Sequence, residues 1–184
     1  MYLGLDLSLS GSGVVVIDSS YSIIHKELLS TPMKGVERLF FLEEKFVNSI
    51  SKYIRDLKLV CIESPAYGVS EGNLFSLGQW GGIVELNLFK LGLKFIYASP
   101  TQLKKYVLGS GKGQKTLMLL KTFQQFNEEF DDDNICDAYS LSRIAHDYHF
   151  KYELNKDIKT KKYQLEVLKS IHKSLTEKDD GTVI

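Results

Sequence analysis

The chain has 184 residues, 43% hydrophobic and 25% charged, with 23 basic and 23 acidic side chains in formal balance. That length fits one domain with some extension, and that mixture fits a globular fold, not a disordered one. Zero net charge excludes a uniformly basic nucleic-acid coat but not a local basic face, and the apolar runs fall far short of the ~20 residues of a membrane span. Residues 2–8 alternate around Leu3, Leu5 and Leu7, Gly11-Ser12-Gly13 punctuates, and residues 14–18 follow as VVVID. The pattern predicts a β-hairpin, with a third antiparallel strand over 22–29. Val36, Leu39, Phe40, Phe46, Val47, Ile50, Ile54 and Leu57 recur at three- and four-residue steps and predict an amphipathic helix across 36–57. Residues 58–63, KLVCIE, form a short, nearly all-apolar run suited to a buried parallel strand.

Residues 68–73 read as a Gly/Ser loop, and 73–91 as a second long helix containing Gly78, Gly81 and Gly82. Helical glycines cost up to ~1 kcal/mol each relative to alanine and are tolerable where another backbone packs close. A fifth strand is predicted at 93–98. A helix follows, with Ser99 as N-cap and Pro100 in its first turn. Residues 109–113 form a loop, 114–126 a helix, and the acidic run 128–133 leads into a further helix over 134–149. The polar, Lys-rich tail holds one more helix around 163–175 and a frayed end near 179–181. A three-strand antiparallel meander followed by βα units makes a mixed sheet flanked by helices, an α/β layered domain. We divide the chain into a domain at 1–150 and a C-terminal helical extension at 151–184.

The acids carry the first chemical signal. Asp6 interrupts an apolar strand, and Glu63 stands at the C-terminal end of a buried one, the edge where open α/β sheets bind ligands. Asp133, Asn134 and Asp137 share one face of a helix start, where an acid also serves as a cap against the helix dipole. Gathered together, such carboxylates do not all stay ionised without a cation. All-oxygen ligands favour Mg²⁺, with Mn²⁺ as a substitute, over zinc. Two such ions about 4 Å apart suit phosphodiester hydrolysis.

The second signal is charge segregation. Between Glu85 and Glu128 the chain has no acid, but it carries Lys90, Lys94, Lys104, Lys105, Lys112, Lys115 and Lys121. That stretch, with its GSGKGQK loop, predicts a phosphate-backbone grip to which Tyr67 and Tyr106 add aromatic contacts. The loop fails the P-loop spacing, since Gln114 stands where glycine is needed, and it follows a predicted helix; no nucleotide cofactor is expected. Cys61 and Cys136 make neither a disulfide framework nor a zinc spacing. The opening MYLGLDLSLSG lacks the basic start of a secretory signal, so a cytoplasmic protein with no membrane association is expected. His146 and His149 are expected in ordinary surface or core roles.

Five motifs, in order, resemble those of the RuvC-type Holliday junction resolvases of the RNase H-like superfamily. LGLDLSLSGSGVVVID is similar to the opening hairpin with its catalytic aspartate, a motif shared with actin-like kinases. VCIESPAYG resembles the fourth-strand glutamate motif and LGQWGG the helix after it. ASPTQLKKYVLGSGKGQK resembles the DNA-contacting stretch, and NICDAYSLSRIA the final catalytic helix. The match runs over about 1–149, and its short form resembles a bacteriophage-type member. The resemblance implies an RNase H-like fold with Asp6, Glu63 and Asp137 as catalytic, metal-binding acids. Family members carry Asp or His where this chain has Asn134, so the fourth ligand is either Asn134 or, the better candidate, the neighbouring acid Asp133. It further implies DNA contacts by Lys104, Lys105, Lys112 and Lys115, and a homodimer, formed through the glycine-bearing helix, that nicks branched DNA symmetrically to leave 5′-phosphate and 3′-hydroxyl ends. The competing expectation is a non-catalytic branched-DNA-binding module of the same fold, favoured by Asn134.

Overall fold

The computed structural model describes residues 1–64 and 71–177, apart from the side chains at 71–73 and 115. Its centre is a five-stranded sheet of β1 (Tyr2–Asp6), β2 (Ser12–Ile17), β3 (Ile23–Leu29), β4 (Leu59–Glu63) and β5 (Phe95–Ala98) in the order β3-β2-β1-β4-β5. β1 pairs antiparallel with β2, and β2 with β3, while β4 runs parallel to both β1 and β5. The expected mixed sheet is therefore present, with the meander at one side and the parallel strands at the other.

Strand side chains alternate between faces, and the two cores divide along that alternation. Leu3, Leu5, Val14, Val16, Val60 and Ile62 pack with α1 (Gly35–Ile50) and α2 (Glu71–Lys90), whose Phe46 and Trp80 are fully buried. Tyr2, Val15, Ile17, Leu59, Cys61 and Ala98 face the other way. They pack with α3 (Pro100–Leu108), α4 (Lys115–Phe126), α5 (Asp133–Tyr148) and α6 (Lys162–Thr176). By the same alternation Asp6 and Glu63 fall on the α5 side. The C-terminal segment is not peripheral: α6 contributes Val167, Leu168 and Ile171 to this second core.

α5 lies unusually close to the sheet, and two glycines allow it. A Cβ on Gly4 would stand 1.9 Å from the Ala138 carbonyl oxygen, and one on Gly13 would stand 2.1 Å from that of Asn134. No side chain fits at either place, so the sheet presents bare backbone to the helix.

Several boundaries differ from the sequence reading. The helix expected across 36–57 leaves α-geometry at Ile50, continues as a 3₁₀ turn at Ser51–Tyr53, and ends in a turn closed by Asp56 and Leu57 amides on the Tyr53 carbonyl. Hydrophobic spacing persists because Tyr53 and Leu57 are both buried, yet the chain must reverse to enter β4. α2 begins at Glu71, two residues earlier than expected, and α5 runs on into a π-helical turn at His149–Glu153. Of the Gly/Ser loop read at 68–73, residues 71–73 are already helical, while 68–70 lie outside the described residues, as do Tyr67 and the frayed end near 179–181. α3 starts as anticipated, with a Ser99 capping box and Pro100 in the first turn, and it stops at Gly109 with φ 78°.

Candidate active site

Leu5 stands opposite Ile62 in the parallel β1/β4 register. One further step along each strand sets Asp6 beside Glu63, both at the carboxyl edge of the sheet and both aimed at α5. The β1–β2 register pairs Asp6 with Gly13, so α5 passes directly over this corner. α5 then delivers Asp133 and Asp137 one turn apart.

The sequence reading allowed Asp133 a simple capping role, and the structure corrects this. The N-cap is Asp132, whose Oδ1 accepts from the amides of Asn134 at 2.9 Å and Ile135 at 3.1 Å. With the cap supplied, Asp133 joins Asp6, Glu63, Asn134 and Asp137 around a cavity of about 290 Å³, with Lys104 of α3 on its wall. A larger cavity of about 580 Å³, bordered by Ser8, Thr31, Arg38 and Leu77, has no carboxylate among the described residues that line it. Chemistry and not volume selects the site.

Asp6 is the best electrostatic reporter. Burial first, then the charges of Glu63, Asp137 and Asp133, with a hydrogen bond to Glu63, push its carboxyl up to about 8. The Asp6 carboxyl therefore holds a proton across much of the neutral range. Among the described residues, no three His, Cys, Asp or Glu side chains stand in metal-holding geometry. Like charges repel across an open cavity, and a divalent cation held by Asp6, Glu63, Asp133 and Asp137 would offset that repulsion and replace the proton on Asp6. The donor set fits: four carboxylates are hard oxygen ligands of the kind Mg²⁺ and Mn²⁺ take. Cys136 also borders the cavity, but burial pushes its thiol up to about 12, and its Sγ bonds Thr122. A neutral thiol at that place is packing and not a ligand.

The lysines separate. Lys104 borders the cavity. Lys105, one step on, forms a 2.9 Å ion pair with Glu166 of α6. Lys112 is exposed in the loop between α3 and α4, and Lys115 opens α4. Tyr106, expected to touch DNA, is instead fully buried, and its hydroxyl donates to Asp147 at 2.5 Å. Tyr21 donates to the other oxygen of the same carboxylate at 2.6 Å, and His146 lies 2.9 Å from it. This buried cluster ties α3, α5 and the β2–β3 turn together, so the Lys104 helix is fixed relative to the acids.

The residues that sequence reasoning missed are the ones that set distance: Gly4, Gly13 and the Asp132 cap. Gly4 did leave a signal, since a glycine inside an otherwise apolar strand marks a close backbone approach.

The chain matches the family model described as "Crossover junction endodeoxyribonuclease RuvC" over residues 2–146. The chain belongs to the RuvC family. A crossover junction endodeoxyribonuclease RuvC from Halothermothrix orenii is 29% identical over 166 residues, covering 86% of this chain and 98% of that protein. One from Caldicellulosiruptor saccharolyticus is 24% identical over 148 residues, 76% of this chain and 88% of its own length. Among solved structures, T. thermophilus RuvC in complex with a Holliday junction substrate superposes with a TM-score of 0.66 at 19% identity, over 83% of this chain and 94% of that one. The RNase H-like layering of this RuvC-family chain is thereby matched as a fold. The family match stops before α6. No helix among the described residues is long and apolar enough to cross a membrane.

Proposed function

We propose that the protein is a Mg²⁺-dependent, structure-selective endonuclease that resolves Holliday junctions and related branched DNA in the cytoplasm. The observation that carries this reading is the gathering of Asp6, Glu63, Asp133 and Asp137 around one cavity beside Lys104 in a RuvC-family chain. Asp6 and Glu63 from the sheet, with Asp133 and Asp137 from α5, would hold the cations, Mn²⁺ serving as well as Mg²⁺. Bound there, two divalent ions would activate a water for in-line attack on a phosphodiester and stabilise the leaving oxygen, giving 5′-phosphate and 3′-hydroxyl ends.

The chain's own residues do the rest. Asp6 gives up its proton as the site loads, so the ligand set becomes fully anionic only when cations are present. Lys104 offers its ammonium to the phosphate entering the cavity, and Lys112 within the Gly-rich loop and Lys115 just after it hold the backbone. Lys105 contributes to the same positive surface while it is tied to Glu166.

Symmetric nicking needs two copies of the site, and α2 offers the surface. Phe75, Leu86 and Phe89 are 70%, 50% and 67% exposed. Gly78 and Gly82 stand on the same side with nothing within 4 Å of where a Cβ would be. Large apolar side chains around a smooth stripe suit a close helix crossing with a second copy.

The test is nicking of a synthetic four-way junction in Mg²⁺ and in Mn²⁺. Paired cuts at symmetric positions, with religatable 5′-phosphate ends, are expected. Tight junction binding with no cut in either metal would establish the non-catalytic module instead.

A further inference from the structure

The C-terminal helix lies beyond the family match at residues 2–146, and the proposed function gives it no task. It is nevertheless fastened to the proposed DNA-contacting elements. Gln102 of α3 donates to Ser170 at 3.1 Å, Gln164 donates to the Tyr106 carbonyl at 3.3 Å, and Lys105 pairs with Glu166. At the start of α6, the Tyr163 ring lies 3.4 Å from where a Cβ of Gly109 would stand, and its hydroxyl donates to Gln125 of α4 at 3.2 Å. Gly109 opens the loop that carries Lys112. The first turn of α6 is thus set against the base of that loop.

The outward side of the first half of the helix is basic. Lys161, Lys162 and Lys169 are exposed, and among the described residues none forms an ion pair. Glu166, the acid between them, forms its ion pair with Lys105 and feels the charge of Lys162 more weakly, so one carboxylate serves two ammonium groups. Unpaired ammonium groups held together on a fixed helix are poised for a polyanion, whereas scattered surface lysines are usually balanced by neighbouring acids.

We propose that α6 is an additional DNA-binding element. Lys161, Lys162 and Lys169 extend the positive surface of α3 and the 109–113 loop, and they grip the phosphate backbone of a duplex arm as it leaves the acid cavity. This rests on the branched-DNA reading above and adds a surface that reading does not use. The grip is on phosphates, so it strengthens binding without reading base sequence.

The test is titration of a fluorescent four-way junction against KCl, using wild type and the triple variant Lys161→Ala, Lys162→Ala, Lys169→Ala in the full chain. The triple variant is expected to bind about tenfold more weakly near 100 mM salt, with a log–log salt slope shallower by about 2 to 3, roughly 0.9 for each phosphate no longer neutralised. The matching triple Lys→Arg variant keeps the charge and is expected to restore both, which separates missing charge from a loosened helix. Lys52→Ala, near the end of α1 on the opposite face, is expected to change neither. An alanine variant with wild-type affinity and slope overturns the proposal, as does an arginine variant that fails to restore them. Wild type that binds no junction would instead overturn the parent reading.

Discussion

The two faces of the sheet are covered by helices in different ways. On one face α5 touches bare strand backbone at Gly4 and Gly13. On the other, α1 and α2 rest on large side chains such as Leu5, Val14 and Ile62 and leave Phe40, Phe75 and Phe89 exposed outside. Close approach fixes position: it holds Asp133 and Asp137 over Asp6 and Glu63, and it leaves no slack for substitution. On the looser face the acids do not gather: Glu43 of α1 accepts from Asn87 of α2, and large apolar side chains stay exposed, the surface proposed for a second copy. The contrast separates the face that gathers the acids from the face proposed for assembly.

The largest effect should come from the acids themselves. Asp6→Asn or Glu63→Gln should lower junction cleavage by about 10³-fold or more while junction binding persists. Wild-type cutting by either variant would remove that residue from the site.

Next come the glycines that set the approach of α5. Gly4→Ala forces a methyl against the Ala138 carbonyl, and it should destabilise the fold by about 3 kcal/mol, seen as a lower Tm, with loss of cleavage. The same change at Gly81 on α2, where nothing lies within 4 Å of an added Cβ, should instead stabilise the helix by about 0.5–1 kcal/mol. Equal shifts at the two sites would erase the contrast between the faces.

The assembly face is probed by Phe75→Ser with Phe89→Ser. Both rings are exposed, so thermal unfolding of the subunit should barely change, whereas sedimentation should show dimer affinity weakened by at least about tenfold. An unchanged dimer would move the interface off α2.

The smallest effect is on pH. Asp6 binds its proton more tightly in the fold than in the unfolded chain, whose ordinary value is 3.8. The stability this provides is fully present below that value and is lost as pH rises through about 8. In chelator, Tm should therefore fall across this window, and Asp6→Asn should flatten the fall. Added Mg²⁺ should raise Tm most at the alkaline end, where the carboxylates are charged and crowded.

Much of this was legible beforehand because it follows from periodicity. Alternation around Leu3, Leu5 and Leu7 placed Asp6 on a definite face, the apolar run before Glu63 marked a buried parallel strand, and Ser99-Pro100 marked a helix start. What was not legible depends on meetings between distant segments. Nothing local says that Gly4 meets Ala138, or that Tyr106 turns inward to Asp147 and not outward to DNA. The capping role considered for Asp133 belongs to its neighbour Asp132. Only the angle at which α5 enters decides that Asp132 bonds the amides and Asp133 faces the cavity. The helix read across 36–57 failed for a related reason: Tyr53 and Leu57 keep helical spacing while the chain turns back toward the sheet.

The central claim is that carboxylates from β1, β4 and α5 share divalent cations. Mn²⁺ titration followed by electron paramagnetic resonance tests it without relying on DNA or on turnover. Wild type should take up Mn²⁺ saturably, and Asp6→Asn and Asp137→Asn should each lose that uptake with the fold intact. Undiminished Mn²⁺ binding in both variants would contradict the account.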